Sequence, residues 1–395
     1  MSPSRTSSPG TPEKIRILYG LEAAEGGALK HVAYLALHLD KRLFDITVIL
    51  STRRDRRVCS EMDRLRAAGV TVIDMPMERQ VKPGKDLAAL LTLYKHLGRC
   101  RYDVVHAHSS KAGVLFRIAA WLRGIPTVVY TPHCFYFQGQ SGIRQGMYLA
   151  IEQLMGFLTD RIVVSNNEKN SAIRFRVAPP RKLVNINNAI DFSEYEPAEK
   201  SKVRRELGIA DDAVVVGAIG RLVEQKDWLT YIYAARETLQ AYPNAVFLLS
   251  GEGALRAKLT QTIQELGLAQ QMIITPHYEE ISKIYSAIDI FVSTSLWEGL
   301  PYVLLEAMWF KKPVIATDLG YGTMITDQQN GYLVGVKDYC MIADKIKGLL
   351  ADKALRLRMG EKGNCLVKDH FPFRKFLQQH EGLYRKAVGK FRDER

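Results

Sequence analysis

The sequence predicts an α/β protein made of two doubly wound, Rossmann-like halves. Three observations carry that prediction. Short apolar runs alternate with longer amphipathic runs along most of the 395 residues, the pattern of parallel strands joined by helices. The alternation occurs twice, on either side of Asp191–Ser201 (DFSEYEPAEKS), a polar stretch with one proline that reads as a linker. Each half also opens with an apolar run that passes into a glycine-bearing turn, Gly26-Gly27 in the first and Gly220 in the second. Glycine there lets the backbone come close to a phosphate or a substrate.

Residues 1–13 (MSPSRTSSPGTPE) are rich in Ser and Pro, read as a disordered tail, and lack the apolar core of a signal peptide. The first half, residues 14–190, begins with a strand at Ile15–Tyr19, a loop Gly20–Gly27 and a striped helix Ala28–Leu39. Further strands are read at Ile46–Leu50, Thr71–Asp74, Asp103–Ala107, Thr127–Tyr130, Ile162–Val164 and Lys182–Ile186. Helices are read at Asp86–Leu97, from HSSKAG through Trp121, and at the amphipathic Arg144–Leu158. The loop TPHCFYFQGQSG after Tyr130, with His133, Phe135 and Tyr136, is turn-rich and too polar for core.

The second half, residues 202–370, repeats the pattern. Its strands are read at Val214–Ala218, Ala245–Ser250, Met272–Ile274, Ile288–Val292, Pro313–Ala316 and Gly331–Val334. Pro301 sits where a first helical residue belongs, so Tyr302–Phe310 reads as a helix. Residues 371–395 hold a final helix, Phe373–Val388. Two doubly wound domains put a ligand cleft at the carboxyl ends of their strands.

Composition narrows the function. Charged residues are 25% and hydrophobic ones 47%, as in soluble globular proteins. Five cysteines without a C-x-x-C pair point to reduced thiols in a cytoplasmic setting, not to a zinc site. No apolar run reaches membrane-spanning length. The net charge of +13, with Arg53, Arg54, Arg56, Arg57, Arg64 and Arg66 clustered, suggests peripheral attraction to an anionic membrane face. No nucleic-acid module is recognisable.

The chemistry concentrates at IDIFVSTSLWEGLPYVLLEAMWFKKP, Ile288–Pro313. A helix N-terminus offers unpaired N–H groups to an anion. Glu298 lies just before that helix and Glu306 about a turn and a half into it, and carboxylates suit hydroxyls that donate to them. Sugar and ribose hydroxyls flanking a diphosphate fit these features. GRLVEQK adds the fork of Arg221 and the point charge of Lys226, both suited to a leaving diphosphate. Helical rise would separate the Cα atoms of the two acids by about 12 Å, so separate roles suit them better than a hydrolytic pair.

Glu298 and Glu306 inside EGLPYVLLEAM, with seven residues between them, resemble the E-x7-E signature of retaining glycosyltransferases of family 4, which have the GT-B fold. The resemblance runs from about Ile15 to Tyr384. It implies an acceptor-binding first domain, a nucleotide-sugar-binding second domain and a last helix that crosses back to the first. It gives Glu298 the transferred sugar's hydroxyls, Glu306 the ribose, and Arg221 and Lys226 the diphosphate. Backbone at Gly299, Leu300, Tyr302 and Val303 would hold phosphate, and Gly26, Gly27, Gly220, Gly251 and Glu252 would complete the donor site. His133 matches a cleft histidine that helps position the sugar. His108, Phe135 and Tyr136 are expected at the acceptor side.

No Asp-x-Asp occurs, so no metal or other cofactor is expected. The resemblance implies transfer from a UDP- or GDP-sugar to a glycan or lipid-linked acceptor, in cell-surface polysaccharide assembly at the inner face of the membrane. A nucleotide-sugar epimerase, a phosphorylase on the same fold and an inactive anionic-surface-binding module are the alternatives. One departure stands out: where the family often has T-D-x-G-G and a glutamate, this chain reads TDLGYGTMITD, with Tyr321 in the second glycine's place.

Overall fold

The computed structural model describes residues 13–22, 25–53, 58–78, 80–275 and 280–392. The tail at 1–12, together with Arg54, Arg56 and Arg57 of the basic cluster, lies outside the described residues. The first domain runs β1 Ile15–Leu21, α1 Gly26–His38, β2 Phe44–Leu50, α2 Val58–Ala67, β3 Thr71–Asp74, α3 Pro83–Arg99, β4 Val104–His108, α4 Ser110–Leu122, β5 Thr127–Thr131, α5 Gly142–Phe157, β6 Arg161–Val164, α6 Asn166–Arg174 and β7 Leu183–Asn185. After α7 Lys200–Glu206 come β8 Val215–Ile219, α8 Trp228–Leu239, β9 Val246–Ser250, α9 Arg256–Glu265, β10 Met272–Thr275, α10 Ile281–Ala287, β11 Ile290–Ser293, α11 Tyr302–Trp309, β12 Val314–Thr317, β13 Gly331–Val334, α12 Tyr339–Ala351, α13 Lys353–His370 and α14 Phe373–Arg392.

The strands form two parallel sheets, ordered β3-β2-β1-β4-β5-β6-β7 and β10-β9-β8-β11-β12-β13. Helices cover both faces, so the inner strands β4, β5, β8 and β12 are buried at every position; β4 is buried even at its two histidines. Strand order reverses between β1 and β4 in one sheet and between β8 and β11 in the other. Those reversals open crevices at the strand ends, where ligands bind such folds.

One apolar core lies within each domain, and a third cluster crosses between them, joining Tyr19 and Val32 to Leu300, Leu304, Phe376 and Tyr384. The helix α14 carries much of that crossing. Its Tyr384 hydroxyl bonds His106 Nδ1 at 2.8 Å and the Tyr19 hydroxyl at 3.2 Å. Among the described residues, no helix is long and apolar enough to cross a membrane.

Two local expectations are corrected. Gly26 and Gly27 open α1 instead of preceding it; the first amides of a helix need no intrahelical acceptor, and Gly26 takes a φ of +58° that glycine accepts without strain. The aromatic loop is not wholly outside the core. Phe135 and Phe137 are fully buried with stacked rings 5.4 Å apart, because alternate residues of the loop turn inward beneath α5.

Candidate active site in the interdomain cleft

The wall contributed by the second domain is the turn between β11 and α11. It is tied to the turn after β8 by backbone and side-chain bonds: Leu296 N donates to Gln225 O at 2.8 Å, Thr294 Oγ1 to Lys226 O at 2.7 Å, and Gln225 Nε2 to Trp297 O at 2.8 Å. This brings the Lys226 amine to 2.6 Å from Glu298 Oε1, with both side chains 13% exposed. Ser295 Oγ supports the same carboxylate at 3.2 Å. Arg221 reaches across to the first domain, where Glu25 Oε1 lies 2.5 Å from its Nη1.

The first domain faces this turn with α1 and the ends of β5, β6 and β7. Asn167 Nδ2 donates to Gly299 O at 2.5 Å and Asn188 Nδ2 to Leu300 O at 2.7 Å. A side chain at Gly299 would collide with the Glu168 carboxylate, 2.6 Å from where its Cβ would lie. Glu168 also accepts from Cys134 N at 2.6 Å. That bond holds a turn in which two consecutive non-glycine residues, His133 (φ 53°) and Cys134 (φ 98°), adopt left-handed backbone. Such strain persists only where surroundings over-determine it, commonly at functional sites. Between the walls lies a cavity of about 80 Å³, lined by Gly27, His31, His133, Glu168, Asn188, Glu298, Gly299, Leu300 and Tyr302 among others.

Glu306 is placed differently. It is buried, and its carboxylate takes the Lys30 amine from α1, the Tyr195 hydroxyl at 2.9 Å and the Tyr285 hydroxyl at 2.9 Å. Burial alone would raise its pKa; Lys30 and the two phenols outweigh burial and hold it below the usual carboxylate range. Burial also raises the Tyr195 and Tyr285 phenols well above their ordinary value, with the Glu306 charge adding to it.

Two of the lining residues, His31 and His133, belong to a cluster of five histidines that extends behind the cavity. His108 Nδ1 and His133 Nε2 share a hydrogen bond of 3.0 Å, and the His31 ring stands 4.8 Å from that of His133. His106 lies 4.1 Å from His108, and His380 of α14 lies 5.4 Å from His31. Burial lowers all five pKa values, to about 3 for His133 and about 4 for His380. Among the described residues no group of three or more His, Cys, Asp or Glu side chains is arranged to hold a metal ion.

The structure thus brings Glu298, Lys226, Arg221, His133, Gly27, Gly299, Leu300 and Tyr302 together at the cleft. Other expected residues fall elsewhere. His108 does not line the cavity; it is fully buried and supports His133. Phe135 is core, and Tyr136 is 42% exposed, packed edge-on against Tyr148 of α5. Gly251 is pressed on the neighbouring loop, since a Cβ there would lie 1.9 Å from Gly220 O. Glu252 stays beside the turn after β8, where its carbonyl accepts from Leu222 N at 2.8 Å and its carboxylate pairs with Arg256 at 3.1 Å, and Val303 follows Tyr302 in the first turn of α11. Tyr321 is 2% exposed, and its hydroxyl has no hydrogen-bond partner among the described residues; burial first and then the Glu298 charge raise its pKa.

Sequence reasoning missed Lys30, Asn167, Glu168, Asn188, Tyr195 and Tyr285. Lys30 and His31 lie inside GGALKHV and Asn188 inside NNAID, segments that already bordered predicted strand ends. Tyr195 and Tyr285 carry no local signal, because only the packing of linker and α10 against α11 brings them to Glu306.

Comparison with known proteins adds an independent line. The sequence profile for glycosyl transferases group 1 matches residues 199–364, and that for the glycosyl transferase 4-like domain matches residues 26–189. An Escherichia coli protein named UDP-Gal:alpha-D-GlcNAc-diphosphoundecaprenol alpha-1,3-galactosyltransferase is 32% identical over 299 residues, 73% of this chain and 77% of its own length. The capsular polysaccharide biosynthesis glycosyltransferase CapM of Staphylococcus aureus is 24% identical over 318 residues, 78% of this chain and 83% of its own. Among solved structures, Anabaena Alr3699/HepE in complex with UDP and glucose superposes with a TM-score of 0.81 at 20% identity, over 94% of this chain and 100% of that one. The architecture is the two-domain GT-B fold.

Proposed function

This chain belongs to the family of glycosyl transferases group 1, and from that membership and the cleft's geometry we propose that it moves a hexosyl group from a UDP-sugar to a lipid-linked acceptor, with retention of anomeric configuration. The observation that carries the reading is the meeting of Lys226, Glu298 and Arg221 beside the amino end of α11. UDP is favoured over GDP because the Escherichia coli relative is named for a UDP-galactose donor. The same name places its acceptor sugar on a polyprenyl diphosphate, which supports a lipid-linked acceptor and work at the inner face of a membrane.

Each residue's part follows from its position. The donor's diphosphate replaces Glu25 as partner of Arg221 and Glu298 as partner of Lys226. Charge that develops on the leaving group is then met by two fixed cations and a helix terminus, in a site that needs no metal ion. Glu298, released from Lys226, turns to the hydroxyls of the transferred sugar. The strained turn at His133 fixes the sugar's other side. The acceptor hydroxyl attacks on the face the diphosphate leaves, and the departing phosphate takes its proton.

Donor entry needs movement. Ligand sites commonly measure roughly 300–1,000 Å³, so a cavity of about 80 Å³ is too small for a nucleotide-sugar. The domains part, and Lys30, carried by the first domain, leaves Glu306, carried by the second. That frees a carboxylate oxygen for the ribose hydroxyls.

Product analysis with a panel of nucleotide sugars and a polyprenyl diphosphate-linked acceptor tests the reading. A UDP-hexose giving an α-linked product, with undiminished turnover in a chelator, is expected. Inverted product, or turnover that requires a divalent ion, contradicts it.

A further inference from the structure

We propose that the exposed face of α5 is the surface by which this protein docks on an anionic lipid bilayer. Ile143, Met147, Leu154 and Phe157 recur at helical spacing along α5 and are 93%, 49%, 61% and 78% exposed, with the exposed Ala150 between them. The opposite face is buried through Glu152, Met155 and Gly156. The helix's one carboxylate, Glu152, is turned inward, where it accepts from Arg117 Nη2 at 3.0 Å and the Tyr130 hydroxyl at 2.9 Å. A continuous apolar stripe on a solvent-facing helix marks an interaction surface, and one fringed by cations suits the plane of a lipid interface.

The fringe is basic apart from Asp160, whose carboxylate accepts from Val128 N at 2.7 Å. Arg144 adjoins Ile143 at one end. At the other, the Lys182 amine donates to the carbonyls of Gly156 (2.9 Å) and Phe157 (3.3 Å), with the exposed Arg181 next to it. A second copy of the chain would set these cations against themselves. The stripe is also narrow, about 21 Å long and one side chain wide, against the roughly 800 Å² per partner of a stable interface. An anionic bilayer answers both features, since it accepts the apolar side chains and attracts the fringe.

The cluster around Arg53–Arg66 serves less well. Among its described members, Arg53 pairs with Glu78, Arg64 with Glu61 and Glu194, and Arg66 with Asp63. The α5 stripe also lies close to the chemistry. The turn Tyr136–Gly139 leads from the His133 loop into α5, and Gly139 is packed against Trp297, the neighbour of Glu298. A bilayer under α5 therefore presents lipid-linked acceptors near the cleft. The docking rests on the stripe and its fringe; only this delivery step rests on the proposed function.

Flotation of the full chain with vesicles of equal parts phosphatidylglycerol and phosphatidylcholine tests the proposal. The unaltered protein should bind these vesicles, bind pure phosphatidylcholine far less, and be released by salt. The triple variant Ile143→Ser, Leu154→Ser, Phe157→Ser should keep its circular dichroism and its turnover of a water-soluble acceptor, yet lose binding by at least ~10-fold. Arg144→Glu with Arg181→Glu should act in the same direction, and Arg53→Glu should not. Undiminished binding by the triple variant, equal binding to neutral vesicles, or loss confined to Arg53→Glu overturns the proposal. So does a dimer, seen by sedimentation, that the triple variant abolishes while no vesicle binds. Vesicle binding by a protein that transfers no sugar would leave the docking standing and refute the function instead.

Discussion

The front and back of the cleft use the same residue types for opposite purposes. At the front, Lys226–Glu298 and Arg221–Glu25 are ion pairs whose partners a ligand can take over, since each pair borders the opening between domains. At the back, Glu306 is enclosed by Lys30, Tyr195 and Tyr285, and five histidines pack with α14. Two glutamates eight residues apart on one turn and helix therefore differ in kind. Glu298 is held by one neighbour, which a diphosphate replaces in the proposed function, whereas Glu306 is buried under partners from the first domain, the linker and the second domain. A charge at a cleft is available for chemistry when its protein partner can exchange for ligand, and it is structural when burial and several partners fix it.

Acid should break the back before the front, and this is the largest expected effect. None of the five clustered rings bonds a carboxylate among the described residues, and burial keeps them neutral. Their folded pKa values lie below the unfolded value near 6.5, so below that pH the unfolded chain takes up protons the folded chain refuses. Stability is complete above pH 6.5 and falls as pH drops toward about 4 for His380 and about 3 for His133. Each ring contributes about 1.4 kcal/mol per pH unit over its window. Urea unfolding at a series of pH values measures this, and His380→Leu should flatten the slope by about one proton. An unchanged midpoint between pH 7 and pH 5 would show that the rings are not neutral in the fold.

At the front, Arg221→Ala or Lys226→Ala should lower turnover by on the order of 100-fold, the loss of one charge-stabilising donor, in protein that still folds. Near-normal turnover in both variants would remove them from the diphosphate. Glu298→Gln should damage donor use while sparing affinity for the nucleoside diphosphate, which carries no sugar; calorimetric titration with each ligand separates the two. Equal loss of both affinities would erase the distinction from Glu306.

The smallest effect sharpens the comparison most. Glu306→Gln leaves the Lys30 amine without its charge partner, so it should lower stability by about 2 kcal/mol and also weaken nucleoside diphosphate binding. Lys30→Met placed on top should recover part of the stability without recovering the binding. If stability is unaltered, the enclosure around Glu306 is not what holds the domains.

How much of this was legible beforehand differs by region. Strands such as Thr71–Asp74 and Gly331–Val334 were readable to the residue although both lie at sheet edges and are only partly buried, because a short core of β-branched or aromatic and apolar residues between turn signals marks a strand locally. The front of the cleft was readable as well, since Arg221, Lys226, Glu298 and Gly299 stand in short segments that end strands and begin helices, where backbone geometry is set locally. Phe135 was misread because a loop rich in polar neighbours hides which alternate side chains turn inward.

The sequence by itself determined two parallel-sheet domains and those cleft residues that stand in strand-to-helix turns, such as Glu298 and Lys226, because periodicity and turn chemistry act over a few residues. Only the tertiary structure decided that Lys226 meets Glu298, that Lys30 and Tyr195 close over Glu306, that α14 completes the histidine cluster, and that the apolar stripe of α5 faces solvent. Each of those depends on how one element lies against another far away in the chain. The same spacing of Ile143, Met147, Leu154 and Phe157 would read as core on any helix whose stripe faced a sheet.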